Sequence, residues 1–186
     1  MSNIKVASRY AQSLLDLSVE KNALEAVIGD MKMLLSVAEQ NRDLGLTLKS
    51  PIVTYDKKFN ILKALFGKTA NNITMSFFDL VTRKNRSNVL IPTAQEFLRQ
   101  YNEYKGIQVA EVTVTLPLTE DLRKEIIEIV KEISGLQKVE LVEKIDKSLI
   151  GGFVLKVNDK LWDDSISGKL RKARMKFAQR YFVKLF

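Results

Sequence analysis

The chain contains neither cysteine nor histidine. The first absence removes disulfides, thiolate nucleophiles and cysteine-based zinc sites; the second removes imidazole acid–base chemistry and every triad that depends on it. Proline is scarce, with 3 in 186 residues, so little interrupts long helices. No apolar run approaches the roughly 18 residues that would cross a bilayer. The start, Met1 to Ala7, lacks the uninterrupted apolar segment of a secretory signal. These gaps predict a soluble protein of a reducing compartment with no direct membrane insertion, and any chemistry would have to rest on carboxylate, lysine, tyrosine or serine groups.

What is present supports folding and a charged partner. A hydrophobic content of 46% is ample for one ordinary core or two small ones. Net charge is +8, and it is uneven: after Asp164 no acid occurs, while Lys169, Arg171, Lys172, Arg174, Lys176, Arg180 and Lys184 follow. Such a balance suits ordinary solubility, an acidic partner, an anionic surface or nucleic acid.

Helical periodicity dominates residues 1–105. Ala7, Tyr10, Ala11, Leu14 and Ser18 follow the three-four spacing of one helix face, widened by Val6 and Leu17. Similar stripes predict helices over Ala23–Gln40, around Leu44–Leu48, from Thr54 or Asp56 to Phe66, from Asn72 to about Thr82, and over Val89–Tyr104. In the helix ending at Phe66, Phe59, Leu62, Leu65 and Phe66 point inward, and in the one starting at Asn72, Ile73, Phe77, Leu80 and Val81 do. Gly67 marks a stop, and Arg83 to Asn88 reads as a basic link. The result is an N-terminal six-helix bundle.

The pattern changes near Gly106. Ala110, Val112, Val114 and Leu116 alternate with polar neighbours, as a half-buried strand does. Thr119 then caps a helix with an acidic first turn, a stripe of Leu122, Ile126, Ile129, Val130 and Ile133, and a glycine stop at Gly135. Two further strands follow, one carrying Val139, Leu141 and Ile145 and the other Phe153, Leu155 and Val157. Residues 106–186 therefore read as a small mixed-sheet α/β domain ending in a basic helix, so the fold class is multidomain, α followed by α+β.

Within that second part, Asp146-Lys-Ser-Leu149-Ile150-Gly151-Gly152-Phe153-Val-Leu-Lys-Val157 is the most informative stretch. On residues alone its adjacent glycines indicate a turn or bulge before an apolar strand; it is not a phosphate-binding fingerprint. The segment resembles the signature of the delta subunit of bacterial F-type ATP synthase, the family of the mitochondrial oligomycin-sensitivity-conferring subunit. Ala7-Ser-Arg-Tyr10-Ala11-Gln-Ser-Leu14 is similar to that family's first helix, and the likeness continues through Leu116-Pro-Leu-Thr119 and the Asp163-Asp164-Ser-Ile-Ser-Gly-Lys-Leu170 approach to the last helix. Trp162 and Leu116 depart from it, standing where smaller residues are common.

The resemblance implies a stator. The helical domain would receive the N-terminal helices of the F1 alpha subunit in a groove placed around Tyr10, Ala11, Leu14, Phe77, Leu80 and Val81. The C-terminal domain would engage the b subunits of the peripheral stalk, with Trp162, Phe177, Arg180 and Tyr181 as candidate contacts. The complex would lie on the cytoplasmic face of the bacterial inner membrane, and the subunit would need no cofactor, no metal and no catalytic residue.

Rival readings rest on less. A nucleic-acid-binding module would use the basic tail with Phe177, Tyr181 and Phe182, yet no zinc finger, GXXG loop or aromatic RNA-binding strand motif accompanies them. For an enzyme, Glu140 and Glu143 fall on opposite faces of a strand, Ser148 and Lys147 lack supporting groups, and Asp159, Asp163 and Asp164 read as solvated turn carboxylates.

Overall fold

The computed structural model describes residues 3–180. It divides into two compact units, one running to Tyr101 and one beginning at Asn102. The first contains α1 (Asn3–Glu20), α2 (Leu24–Gln40), α3 (Arg42–Lys49), α4 (Tyr55–Phe66), α5 (Asn72–Arg83), a 3-10 turn at Ser87–Val89 and most of α6 (Leu90–Lys105). Its core is built from Ala7, Ala11, Leu14, Val27, Met31, Leu34, Leu48, Leu62, Phe66, Phe78, Val81, Leu90, Ala94 and Phe97. Phe66 and Phe78 meet edge to face at its centre, with ring centroids 5.8 Å apart.

Two buried polar groups order this unit. The Asp30 carboxylate accepts from Asn71 N–H at 2.9 Å and from the Thr74 hydroxyl at 2.6 Å, so α2 holds the first turn of α5. Lys58 is buried instead of solvated. Its ammonium donates to Leu48 O and Ser87 Oγ, joining α4 to the last turn of α3 and to the 3-10 turn. The segment expected to be a simple basic link is thus anchored at its end, with Ser87 and Val89 buried.

Several local expectations are corrected. Leu65 points outward, because Leu62, Phe66 and the Lys58 stem already fill the inward side of α4. Gly67 ends α4 in a right-handed conformation, and a Cβ there would lie 2.4 Å from Lys63 O, so close approach and not a left-handed turn requires glycine. Gly29 has open space around it and is simply tolerated in α2.

In the second unit, β1 (Ile107–Val114), α7 (Glu120–Ser134) and β2 (Lys138–Ile145) form a parallel strand–helix–strand unit. Antiparallel β3 (Phe153–Val157) and β4 (Lys160–Asp163) complete a mixed sheet in the order β2-β1-β3-β4. Ala110, Val112, Val114, Leu155 and Val157 share one sheet face and pack with Ile126 and Val130 of α7. α8 (Ile166–Arg180) follows.

Here β4 was not anticipated: Lys-Leu-Trp-Asp is too short to show alternation, but Asn158 at φ 51° turns the chain so that Val157 pairs with Lys160. β1 stops at Val114, and Leu116 is exposed. Thr119 occupies the N-cap of α7 without a side-chain cap bond, and Leu122 and Ile145 lie outward.

Candidate partner-docking sites

α5 carries two apolar stripes about 100° apart, which is the angle between adjacent helical residues. Thr74, Phe78, Val81 and Thr82 face the core and are buried. Ile73, Phe77 and Leu80 recur at the same helical spacing one position earlier, and they turn away from it. Opposite them, α1 presents Tyr10 and Leu17, with the buried Leu14 between them lining the groove from the core side, while Ala7, Ala11 and Leu15 fill the interior. Between the helices lies an open groove of about 470 Å³, lined by these outward residues together with Ser13, Ser76, Asn72 and Lys21.

The groove wall is held from behind. Tyr10 and Phe77 meet edge to face at 6.2 Å, and Phe77 leans on Phe78 at 6.3 Å, which connects the groove to the core. The Asp30 bonds fix where α5 starts, and Asn71 caps it by accepting from Ile73 N–H at 3.0 Å. Small Ser13 and Ser76 leave room for a docked backbone to come close. At the rim, Arg86 Nη1 donates to Tyr10 Oη at 3.2 Å.

Of the six residues anticipated for this site, Tyr10, Leu14, Phe77 and Leu80 line the groove. Ala11 and Val81 do not; both are 0% exposed and belong to the core beneath. Sequence reasoning left out Ser13, Leu17, Lys21, Asn72, Ile73 and Ser76 as lining residues. The available signal was width: the apolar arcs of α1 and α5 are broader than one buried seam requires.

The signature segment is a structural corner. After β2, Asp146 accepts from Ser148 N–H at 2.9 Å and starts a 3-10 turn over Lys147–Leu149. Those bonds to Ser148 hold its carboxyl below the usual range. Gly152, at φ 77°, passes so near the chain before α8 that a Cβ would lie 2.5 Å from Asp164 O; one on Gly151 would strike Ile166 Cδ1. Ile166 N–H donates to Gly151 O, Asp164 N–H donates to Phe153 O, and Phe153 packs on the sheet core. The glycines therefore seat the start of α8. Ile150 is left 67% exposed at φ 67°.

α8 itself is capped with care. Ser165 Oγ accepts from Gly168 N–H at 3.0 Å, and Asp163 accepts from both the hydroxyl and N–H of Ser165, which lowers the Asp163 carboxyl below its usual range. Beyond that first turn, the described residues of the helix are exposed apart from the half-buried Ala173. Leu170, Met175 and Phe177 are exposed, Phe177 at 66%, among exposed Arg171, Lys172, Arg174 and Lys176. Trp162, a candidate stalk contact, is also exposed, at 58%, and pairs with Leu155 across the β3–β4 ladder, beside a recess of about 330 Å³ lined with Ile133, Val157 and Leu161. The Arg180 side chain and Tyr181 lie outside the described residues.

Groups considered for catalysis are engaged elsewhere. Glu143 pairs with Arg123 across to α7, and Glu140 projects to the opposite side. Asp163 and Asp164 face Arg171 and Lys169, and among the described residues no cluster of three or more acidic side chains is disposed to hold a metal.

Comparison with known proteins adds a consistent family. The model described as ATP synthase delta (OSCP) subunit matches residues 6–177. ATP synthase subunit delta of Cytophaga hutchinsonii is 46% identical over 97% of this chain and 98% of its own length. That of Desulforamulus reducens is 38% identical over 89% of this chain and 91% of its own. In fold, the chain resembles one in the mitochondrial ATP synthase hexamer of Toxoplasma gondii, with a TM-score of 0.73, 19% identity, and coverage of 92% and 97%. The nucleic-acid alternative gains no support from these likenesses.

Proposed function

The chain belongs to the ATP synthase delta (OSCP) subunit family, and on that premise we propose that it is the peripheral-stalk stator subunit joining the catalytic F1 head to the b-subunit stalk. It catalyses nothing; it restrains. Holding the head against rotation with the central shaft keeps ion flow and ATP turnover coupled.

The observation that carries this reading is that each compact unit exposes its own unpartnered apolar surface, and the two are chemically unlike. In the first unit, acting as a six-helix bundle, the α1–α5 groove suits an amphipathic helix laid into it, as the N-terminal helix of the alpha subunit would be. Burial of Tyr10, Leu17, Phe77 and Leu80 would supply the affinity. In the C-terminal α/β domain, the exposed Leu170–Phe177 stripe with its flanking cations suits a b-subunit helix that offers an apolar stripe beside an acidic face. Trp162 offers a second anchor there. No described helix is long and apolar enough to cross a membrane, so attachment at the cytoplasmic face of the bacterial inner membrane would be through these partners.

Calorimetric titration of the intact chain with the N-terminal alpha peptide and, separately, the soluble b stalk from the same genome tests the division of labour. Leu80→Asp should abolish only peptide binding, and a Leu170→Asp/Phe177→Asp pair only stalk binding. If the folded chain ignores both partners, the stator reading fails.

A further inference from the structure

The α1–α5 groove bears charge of one sign at its two ends. Lys21 is its single charged lining residue, and Arg86 stands at the far rim through its bond to the Tyr10 hydroxyl. No carboxylate lines the groove; on its two helices Asp79 pairs with Arg83 and Asp16 accepts from the Gln12 amide, while the exposed Glu20 adjoins Lys21 in sequence. Neither Lys21 nor Arg86 has a carboxylate partner among the described residues.

Their separation has a consequence for whatever docks. Tyr10 and Lys21 are eleven positions apart, and Lys21 N–H still donates to Leu17 O, so the helical rise continues to that end. The Tyr10 and Lys21 backbone positions, which mark the two ends of the groove on α1, are thus about 16 Å apart at 1.5 Å per residue. A helix lying along the same groove covers that distance in eleven residues. Eleven residues are close to three full turns, which returns the side chain to nearly the same face. The Tyr10 hydroxyl uses one of the five Arg86 N–H donors, leaving the rest of the fork open to a carboxylate.

We propose that the docked helix is selected by charge spacing as well as shape: it carries two carboxylates about eleven residues apart, flanking its apolar stripe, which pair with Arg86 and Lys21. This rests on reading the groove as a helix-docking site. Rim pairs of this kind add little affinity each, but they fix register along a groove whose apolar floor would otherwise permit slippage by a turn.

The test uses the full chain and three synthetic helical peptides of 18 residues sharing one apolar stripe. One has glutamates eleven apart, one has glutamates seven apart at the same net charge, and one has glutamine at the first pair of positions. In calorimetry at 50 mM salt the eleven-spaced peptide should bind about fivefold more tightly than either of the others, with the advantage falling below twofold at 500 mM. In the Arg86→Gln chain, changing the glutamate at that end to glutamine should no longer matter. Equal binding of all three peptides would overturn charge selection while leaving the groove reading intact. Equal binding of the two glutamate peptides, both tighter than glutamine, would reduce the effect to net charge and overturn the spacing. Binding by none would remove the helix-docking reading itself.

Discussion

Leu80 and Val81 are neighbours in α5 with opposite surroundings, so truncating each should separate docking from folding. Leu80 is 49% exposed on the groove, and Val81 is 0% exposed in the core. Fully burying a leucine side chain is worth about 2 kcal/mol. About half of that remains to be gained when a partner covers Leu80, so Leu80→Ala should weaken peptide binding by about 1 kcal/mol, or roughly fivefold. Its cost to folding should be no larger. Val81→Ala deletes two methyl groups from a closed core, which costs about 1.5–3 kcal/mol of stability through lost transfer and cavity. It should leave the affinity of the folded molecule within about twofold. Urea melts of both variants, paired with calorimetric titration against the alpha peptide under fully folding conditions, give the four numbers. Equal losses of affinity in the two variants, or full affinity retained by Leu80→Ala, would refute the assignment of one α5 stripe to the core and the other to a partner.

Other substitutions probe the scaffold. Gly29→Ala, in open space within α2, should raise stability by about 0.5–1 kcal/mol in urea melts. Gly152→Ala should do the reverse, costing about 1–3 kcal/mol, because it combines a positive φ with a backbone clash at Asp164; loss of thermal stability in the second unit is the readout. Burial holds the Lys58 ammonium below its ordinary pKa of 10.5. Because the unfolded chain then binds more protons than the folded one between the lowered value and 10.5, this residue's contribution to stability should rise as pH climbs through that window. Lys58→Met should remove that rise, visible as a flatter difference between urea midpoints at pH 8 and pH 10.

Most of the fold was legible because its elements are long and periodic. The helices α2, α5 and α6 begin and end within a residue or two of where stripes and caps placed them, and β1, α7, β2 and β3 follow from a change of period near Gly106. What escaped had no periodic signal. β4 is four residues long, and its place depends on a turn at Asn158 and pairing with β3. Lys58 reads as surface charge until tertiary structure brings Leu48 O and Ser87 to it. The candidate groove was legible only in part, since an apolar stripe does not state what it faces. Leu80 and Val81 both fall within the broad apolar arc of α5, and only tertiary packing shows that Val81 and Phe78 are core while Leu80 is exposed. The apolar stripe of α8 is exposed in the structure, and periodicity alone cannot tell whether such a stripe is covered by its own domain or by a partner.

The central claim is simultaneous engagement of two different partners, one by each unit. Sedimentation velocity on the intact chain mixed with the alpha peptide fused to a compact carrier and with the soluble b stalk measures it directly. The account predicts one ternary species, with each partner's affinity unchanged by saturation with the other and with Leu80→Asp removing only the alpha component. Mutually exclusive binding, or loss of both partners from the single groove substitution, would contradict it.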